Sequence, residues 1–269
     1  MKKLSILFLL LFGTVLYAKI NVVVSILPQK NFVKEIAGDK ADITVMVKPG
    51  NSPHTYEPKP SQMRYISKAD IYFKIGVEFE KVWIKKFVNQ NRKMKVVDLS
   101  KRITRYGKDP HIWTSPKNVK IIAENIKEAL CEFDTENCEY YTKNYEKFIS
   151  KISRLQNEIK EILKNVKEGS RFMVFHPSWG YFAKEFHLIQ FPVEIEGKSP
   201  KPKTLVKIIK TARKENIKVI LTSPEFSQKS AKVIAKELGI KVVKITPLAQ
   251  NWYDNLIYLA KVIASKESK

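Results

Sequence analysis

The sequence predicts an α/β fold of two lobes with mainly parallel sheets, and three observations carry that prediction. Apolar, β-branched runs alternate with amphipathic helical stretches; the alternation is interrupted once, by a long segment of unbroken helical periodicity; and it then restarts. In the first half INVVVSI is followed by QKNFVKEIAG and then by ADITVMV, with ADIYFKI and KVVDL as further short strands. Such strand–helix–strand alternation marks βα units around a parallel sheet.

Between Glu136 and Lys167 the residues Tyr140, Tyr141, Tyr145, Phe148, Ile149, Ile152, Leu155, Ile159 and Leu163 recur mostly at steps of three and four, without Gly or Pro. That spacing predicts one helix. About 30 residues at 1.5 Å each reach roughly 45 Å, enough to run the length of a second lobe or to join two lobes. After EGS the pattern resumes with RFMVF, a helix over 179–186, HLIQFPV, a helix over 202–215, IKVILTS, a helix over 228–238, IKVVKI and a last helix from Trp252. The boundaries expected are 19–133 for a first lobe, 134–168 for the long helix and 169–269 for a second lobe. The sequence shows no internal repeat and no low-complexity segment.

The first 18 residues, MKKLSILFLLLFGTVLYA, place two lysines before a mostly apolar run, the layout of a secretory signal peptide. A membrane anchor is the competing reading, but a spanning helix takes about 20 apolar residues and this run is shorter and contains Gly13. Cleavage is expected near Ala18, with Leu16 leaving the scissile bond open, and the mature chain is expected in the periplasm. No cysteine stands near the end of the run to carry a lipid.

The formal net charge is +22, and loss of Lys2 and Lys3 with the leader leaves +20. Lysine is spread over nearly every helical stretch, as in KNVKIIAENIKEAL, whereas nucleic-acid binders gather basic residues on one face. A solvated lysine-rich surface is the expectation, with weak attraction to anionic membrane surfaces as its corollary and no nucleic-acid partner. Cys131 and Cys138, the only cysteines, flank a turn-like FDTEN and suit a disulfide in an oxidising compartment; two free thiols are the alternative. A zinc site built on this pair alone lacks ligands.

Three of the four histidines adjoin proline: Pro53-His54, Pro110-His111 and His176-Pro177. Proline interrupts regular elements, so these histidines belong to loops or element boundaries. Two follow predicted strands, and His111 precedes a helix start where Thr114 or Ser115 can cap and Pro116 takes the first turn. In open α/β sheets ligands collect beyond the carboxyl ends of the strands, where loop histidines from two lobes can meet. Three imidazoles with one open position form an established zinc geometry, although any single histidine of this kind is more often an ordinary surface or hydrogen-bonded residue. The imidazole reference pKa of about 6.5 predicts metal affinity falling below about pH 6. His187, in KEFHLIQ, has no such setting and is read as structural.

The stretches PGNSPHTYEPKPSQMRYISKADIYFKIGVEFE, DPHIWTSPKNVKIIAENI, FHPSWGYFAKEF, EIEGKSPKPKTLVKIIKTARKENIKVIL and PEFSQKSAKVIAKELGIKVV resemble, in order, the zinc- and manganese-binding solute-binding proteins of metal ABC transporters. The resemblance runs from about Ile20 to the end of the chain. It implies two Rossmann-like lobes joined by a long rigid helix, with the ion held between them and passed by a monomeric carrier to an inner-membrane ABC permease. His54, His111 and His176 fall on the family's first three ligand positions. Histidine at the third resembles the zinc-preferring members, since imidazole suits zinc and carboxylate suits manganese; Mn2+ or Fe2+ is the alternative cargo. The chain departs from the family where Thr246-Pro247-Leu248 replaces the common Asp-Pro-Leu, and it lacks the histidine-rich loop of some zinc members. Water or Glu225 is then expected to complete the coordination.

Glu57, Asp109 and Glu225 are candidate partners for the far ring nitrogens. Trp113, Trp179, Tyr181 and Phe182 either shield the site or simply pack the core. A zinc hydrolase is the rival class, but no HExxH or similar motif occurs in the sequence. An adhesion or assembly protein is a third.

Overall fold

The computed structural model describes residues 19–194, 200–226 and 229–265. The expected signal peptide and the helix start at Gln228 lie outside these residues. The first lobe comprises β1 (Ile20–Val24), α1 (Leu27–Ala37), β2 (Ala41–Val45), α2 (Pro60–Ile66), β3 (Ile71–Lys74), α3 (Glu80–Gln90), β4 (Lys95–Asp98) and α4 (Pro116–Phe133). The long helix α5 (Cys138–Leu163) follows. The second lobe is β5 (Arg171–Val174), α6 (Gly180–Glu185), β6 (Ile189–Pro192), α7 (Pro202–Lys214), β7 (Val219–Thr222), α8 (Lys229–Leu238), β8 (Lys241–Lys244) and α9 (Trp252–Ala264).

Each lobe holds a four-stranded, wholly parallel sheet, in the orders β2-β1-β3-β4 and β6-β5-β7-β8. The two lobes thus share one topology although the sequence shows no repeat. Right-handed βαβ crossovers require only the apolar pattern and a helix between strands, so residue identity is free to differ. In both sheets the chain reverses direction beside the first strand, which opens a crevice at the carboxyl ends of the strands.

The central strands β1, β3, β5 and β7 are largely buried on both faces, and their two-residue period divides the core. Phe172 and Val174 of β5, with Val219 and Leu221 of β7, belong to a large core continuous with the first lobe. Met173, Phe175 and Ile220 point the other way, into a smaller core closed by Ile208 and Ala212 of α7 and Ala231, Ile234 and Ala235 of α8. One continuous core therefore crosses from lobe to lobe.

Helix α5 is the spine of that shared core. Tyr141, Phe148, Ile152, Leu155, Ile159 and Leu163 form its buried stripe, and it packs against α1, α4 and α9. It is shorter than the periodicity predicts. A short 3-10 turn over Thr135–Asn137 precedes it, because Asp134 draws the amide of Asn137 (2.9 Å) and the hydroxyl of Tyr141 (2.5 Å) into a tight turn. Its 26 residues span about 39 Å at 1.5 Å each. Cys131 and Cys138 are joined across the turn, with Cα atoms 4.5 Å apart.

Two indole hydrogen bonds stitch the lobes together. Trp113 Nε1 donates to the carbonyl of Pro247 and Trp252 Nε1 to that of Trp113, both at 2.8 Å. Glu185 of α6 accepts from the backbone of Lys117 (3.0 Å) and from Gln156 of α5 (2.7 Å). No helix among the described residues is long and apolar enough to cross a membrane.

Candidate metal centre

The three proline-flanked histidines meet at the carboxyl ends of the two sheets. His54 lies in the loop after β2, His111 in the connection from β4 to α4, and His176 just beyond β5. One ring nitrogen from each falls within 4.8 Å of the other two. The Nε2 atoms of His54 and His176 are 3.2 Å apart, and the ring centroids stand 5.0, 5.5 and 5.9 Å from one another. Two nitrogens bound tetrahedrally at about 2.05 Å are about 3.3 Å apart. The spacing of this pair matches that separation, and it is also a hydrogen-bond distance between the two rings.

Local structure fixes two of the three rings, those of His111 and His176. Ser115 caps α4 by accepting from the amide of Asn118 (3.1 Å), with Pro116 at the first helical position. Thr114 donates its hydroxyl to the carbonyl of His111 (2.9 Å), which ties the histidine to the cap. Asp109 Oδ1 accepts from both the backbone amide (2.9 Å) and Nδ1 (2.7 Å) of His111, so Nε2 is left to face the cleft. The other oxygen of Asp109 occupies the space beside Gly180, where a Cβ would lie 2.6 Å from it; only glycine permits that approach.

His176 is held in the same way by Glu194, whose Oε2 is 2.7 Å from Nδ1. Glu194 is placed by backbone pairing, because the amides of Val193 and Glu194 donate to the carbonyls of Val174 and Phe175 and carry the β5–β6 ladder two residues further. Phe226 stacks on the His176 ring, with centroids 4.2 Å apart. A carboxylate accepting from the far nitrogen fixes the tautomer and raises the basicity of the ligating one. Glu194→Gln is therefore expected to weaken metal binding by roughly 10- to 100-fold with the fold preserved, which competition against a chelating dye will measure.

Of the other expected residues, Glu225 lines the same cleft. Its Oε1 accepts from the hydroxyl of Thr246 at 2.7 Å, and its Oε2 is buried without a hydrogen-bond partner among the described residues. Its oxygens do not join the tight histidine group. Glu57 lines a neighbouring pocket with Met46 and Gln62. Trp113, Trp179, Tyr181 and Phe182 are all buried in the main core; of these, Trp113 approaches His111, with centroids 5.3 Å apart. His187 stands apart with φ 54° and pairs at the surface with Glu168 (3.3 Å).

Glu194 and Phe226 are the site residues that sequence reasoning passed over. Glu194 carried a usable signal, since it is the first acidic residue after the apolar strand HLIQFPV and so lies at a carboxyl strand end. Phe226 carried none, because its stacking depends on how the loop after β7 folds back.

Burial, followed by the like charges of His176 and His111, lowers the pKa of His54 to about 4. Burial lowers His111 as well, against the upward pull of Asp109. The folded pKa of His54 lies below its unfolded value, so between about pH 6.5 and 4 the unfolded chain binds the extra proton. The metal-free protein is therefore expected to lose stability as pH falls through that window. In the metal-free protein the His54 ring thus takes up its proton only near pH 4. Ring-resonance titration by NMR will report the midpoint of His54, and urea midpoints at pH 7 and 5 the stability change.

A family model described as "Zinc-uptake complex component A periplasmic" matches residues 22–265. The chain belongs to this family. Members of the zinc-uptake component A family are solute-binding transport proteins and not enzymes, and the chain is a metal-binding component of that class with an extracytoplasmic place of work. A putative metal-binding protein of Chlamydia trachomatis is 28% identical, covering 97% of this chain and all of its own length. The high-affinity zinc uptake system protein ZnuA of Bacillus subtilis is 28% identical over 86% of this chain and 79% of its own. A crystal structure of ZnuA superposes with TM-score 0.89 at 39% identity, covering 92% of this chain and 99% of that one. A zinc-bound deletion mutant of ZnuA gives TM-score 0.88, also at 39% identity, over 94% and 99%. The family's two-lobe α/β fold with a long helix is the fold described above.

Proposed function

We propose that this zinc-uptake component captures Zn2+ in the periplasm with His54, His111 and His176 and delivers it, as a monomer, to an inner-membrane ABC permease after removal of a leader near Ala18. The observation that carries the proposal is the convergence of three ring nitrogens, two of them backed by carboxylates. Neutral imidazole is the ligand form zinc takes, and the lowered pKa of His54 keeps that ring neutral. The all-nitrogen set favours zinc over manganese, which prefers carboxylate oxygen. The relatives named for zinc support the same cargo.

Glu225 takes an outer electrostatic role in this reading. Its unpaired buried oxygen, with the carboxylates of Asp109 and Glu194, makes the cleft a local acidic recess in a strongly basic protein. Such a recess attracts a divalent cation. Thr246 holds Glu225 through its hydroxyl where relatives often place an aspartate, and water is left to complete the coordination.

Calorimetric titration of Zn2+ and of Mn2+ into the metal-stripped, processed chain tests the proposal. One tight zinc per chain, bound at least tenfold more strongly than manganese, is the expected result. Equal affinity, or no saturable site, would remove it.

A further inference from the structure

The outward faces of α7 and α8 form a surface that metal capture does not use. Along α7, Lys203, Val206, Lys207, Lys210, Arg213 and Lys214 recur at steps of three and four on one side, while Ile208 and Ala212 on the other side close the smaller core. Helix α8 turns Lys229, Lys232, Val233 and Lys236 outward and Ala231, Ile234 and Ala235 inward. The two faces join in a shallow recess where Val206, Ile209 and Val233 are ringed by Lys210, Arg213 and Lys236. Val206 is 65% and Val233 60% exposed, so this apolar floor is open to solvent.

The charge of this face is one-sided. The two helices carry eight basic residues against one acidic, Glu237, which pairs with Arg213 at 2.8 Å. Helix α5 is balanced by comparison, with five basic and four acidic residues. Seven of the eight cations are lysine. Lysine is depleted at protein–protein interfaces, whose anchors are Trp, Tyr and Arg, and no aromatic residue lies in either helix. Mobile point charges around small apolar side chains are instead what an anionic lipid surface attracts.

We infer that the α7/α8 face docks this protein on an anionic phospholipid bilayer. The occupant is a headgroup layer and not a protein partner. Helix α8 begins at Lys229, shortly after the Phe226 that stacks on His176, so one end of this face is close along the chain to the histidine cleft. The inference stands independently of which ion the cleft takes.

Sedimentation of the processed chain with phosphatidylcholine vesicles containing about 30 mol% phosphatidylglycerol, at low and at high salt, tests it. Binding is expected to need the anionic lipid and to weaken with salt. The variant K207E/K210E/K236E is expected to bind about tenfold or more weakly, whereas K143E/K147E/K160E on α5, with the same change of net charge, stays within about threefold of the parent. Thermal unfolding and zinc stoichiometry check that each variant folds, and the corresponding glutamine triples replace any that does not. Failure of the parent chain to bind phosphatidylglycerol vesicles, equal losses in the two variants, or equally tight binding to soluble polyglutamate would each overturn the inference.

Discussion

His176→Ala is expected to abolish tight zinc binding while leaving the fold in place. His176 supplies a donor 3.2 Å from that of His54, carries the stacked ring of Phe226 and is the hydrogen-bond partner of Glu194. Removing it deletes one of the three proposed ligands and releases a carboxylate and an aromatic ring from their posts, so the loss is expected to exceed the roughly 10- to 100-fold cost of disturbing an outer partner. The side chain stands at the wall of an open cleft and not in the packed core, so the unfolding midpoint of the metal-free variant stays near that of the parent. Calorimetry and urea denaturation of the same samples separate the two effects. Unchanged zinc affinity would remove His176 from the site.

Trp252→Ala is expected to act the other way, with a large loss of stability. The indole is buried at the start of α9, meets Phe32 of α1 edge-on at 5.2 Å and donates to the carbonyl of Trp113. Truncating a buried tryptophan costs about 3–5 kcal/mol through lost transfer energy and cavity formation, and a carbonyl left without its donor adds about 1 kcal/mol. Because Trp113 lies directly after the loop of His111, the variant is also expected to weaken zinc binding secondarily. Val206→Ala, at an exposed position, is the control and stays within about 0.5 kcal/mol. An unfolding midpoint for Trp252→Ala equal to that of the control would contradict the view that one core welds the lobes.

The welded core bears on dynamics. A spine helix packed on both lobes, indole bonds across the interface and a continuous apolar core leave no loose hinge. Capture is thus expected to proceed by local adjustment around the histidine loops. A large domain closure is not expected.

Much of this was legible in the sequence, for identifiable reasons. The strands and helices declared themselves through periodicity because parallel βα units bury one helix face and both strand faces. The cap at Ser115 followed from a hydroxyl before proline, and the placing of three histidines at element boundaries from their adjoining prolines. The start of α5 was misjudged, since side-chain capture by Asp134 is a local tertiary effect that apolar spacing does not record. The pairing of Glu194 with His176 was hidden because it depends on strand register across 18 positions. The shared topology of the lobes was invisible in residue identity, while the one-sided charge of α7 and α8 was masked by lysine elsewhere in the chain.

The central claim is tested most directly by zinc K-edge X-ray absorption on the processed protein loaded with one equivalent of zinc. Three imidazole nitrogens at about 2.0–2.1 Å, accompanied by one light oxygen scatterer, are the predicted shell, with the imidazole signal diminished in His111→Ala. A shell of oxygen alone, or one holding fewer than two imidazoles, would contradict the account.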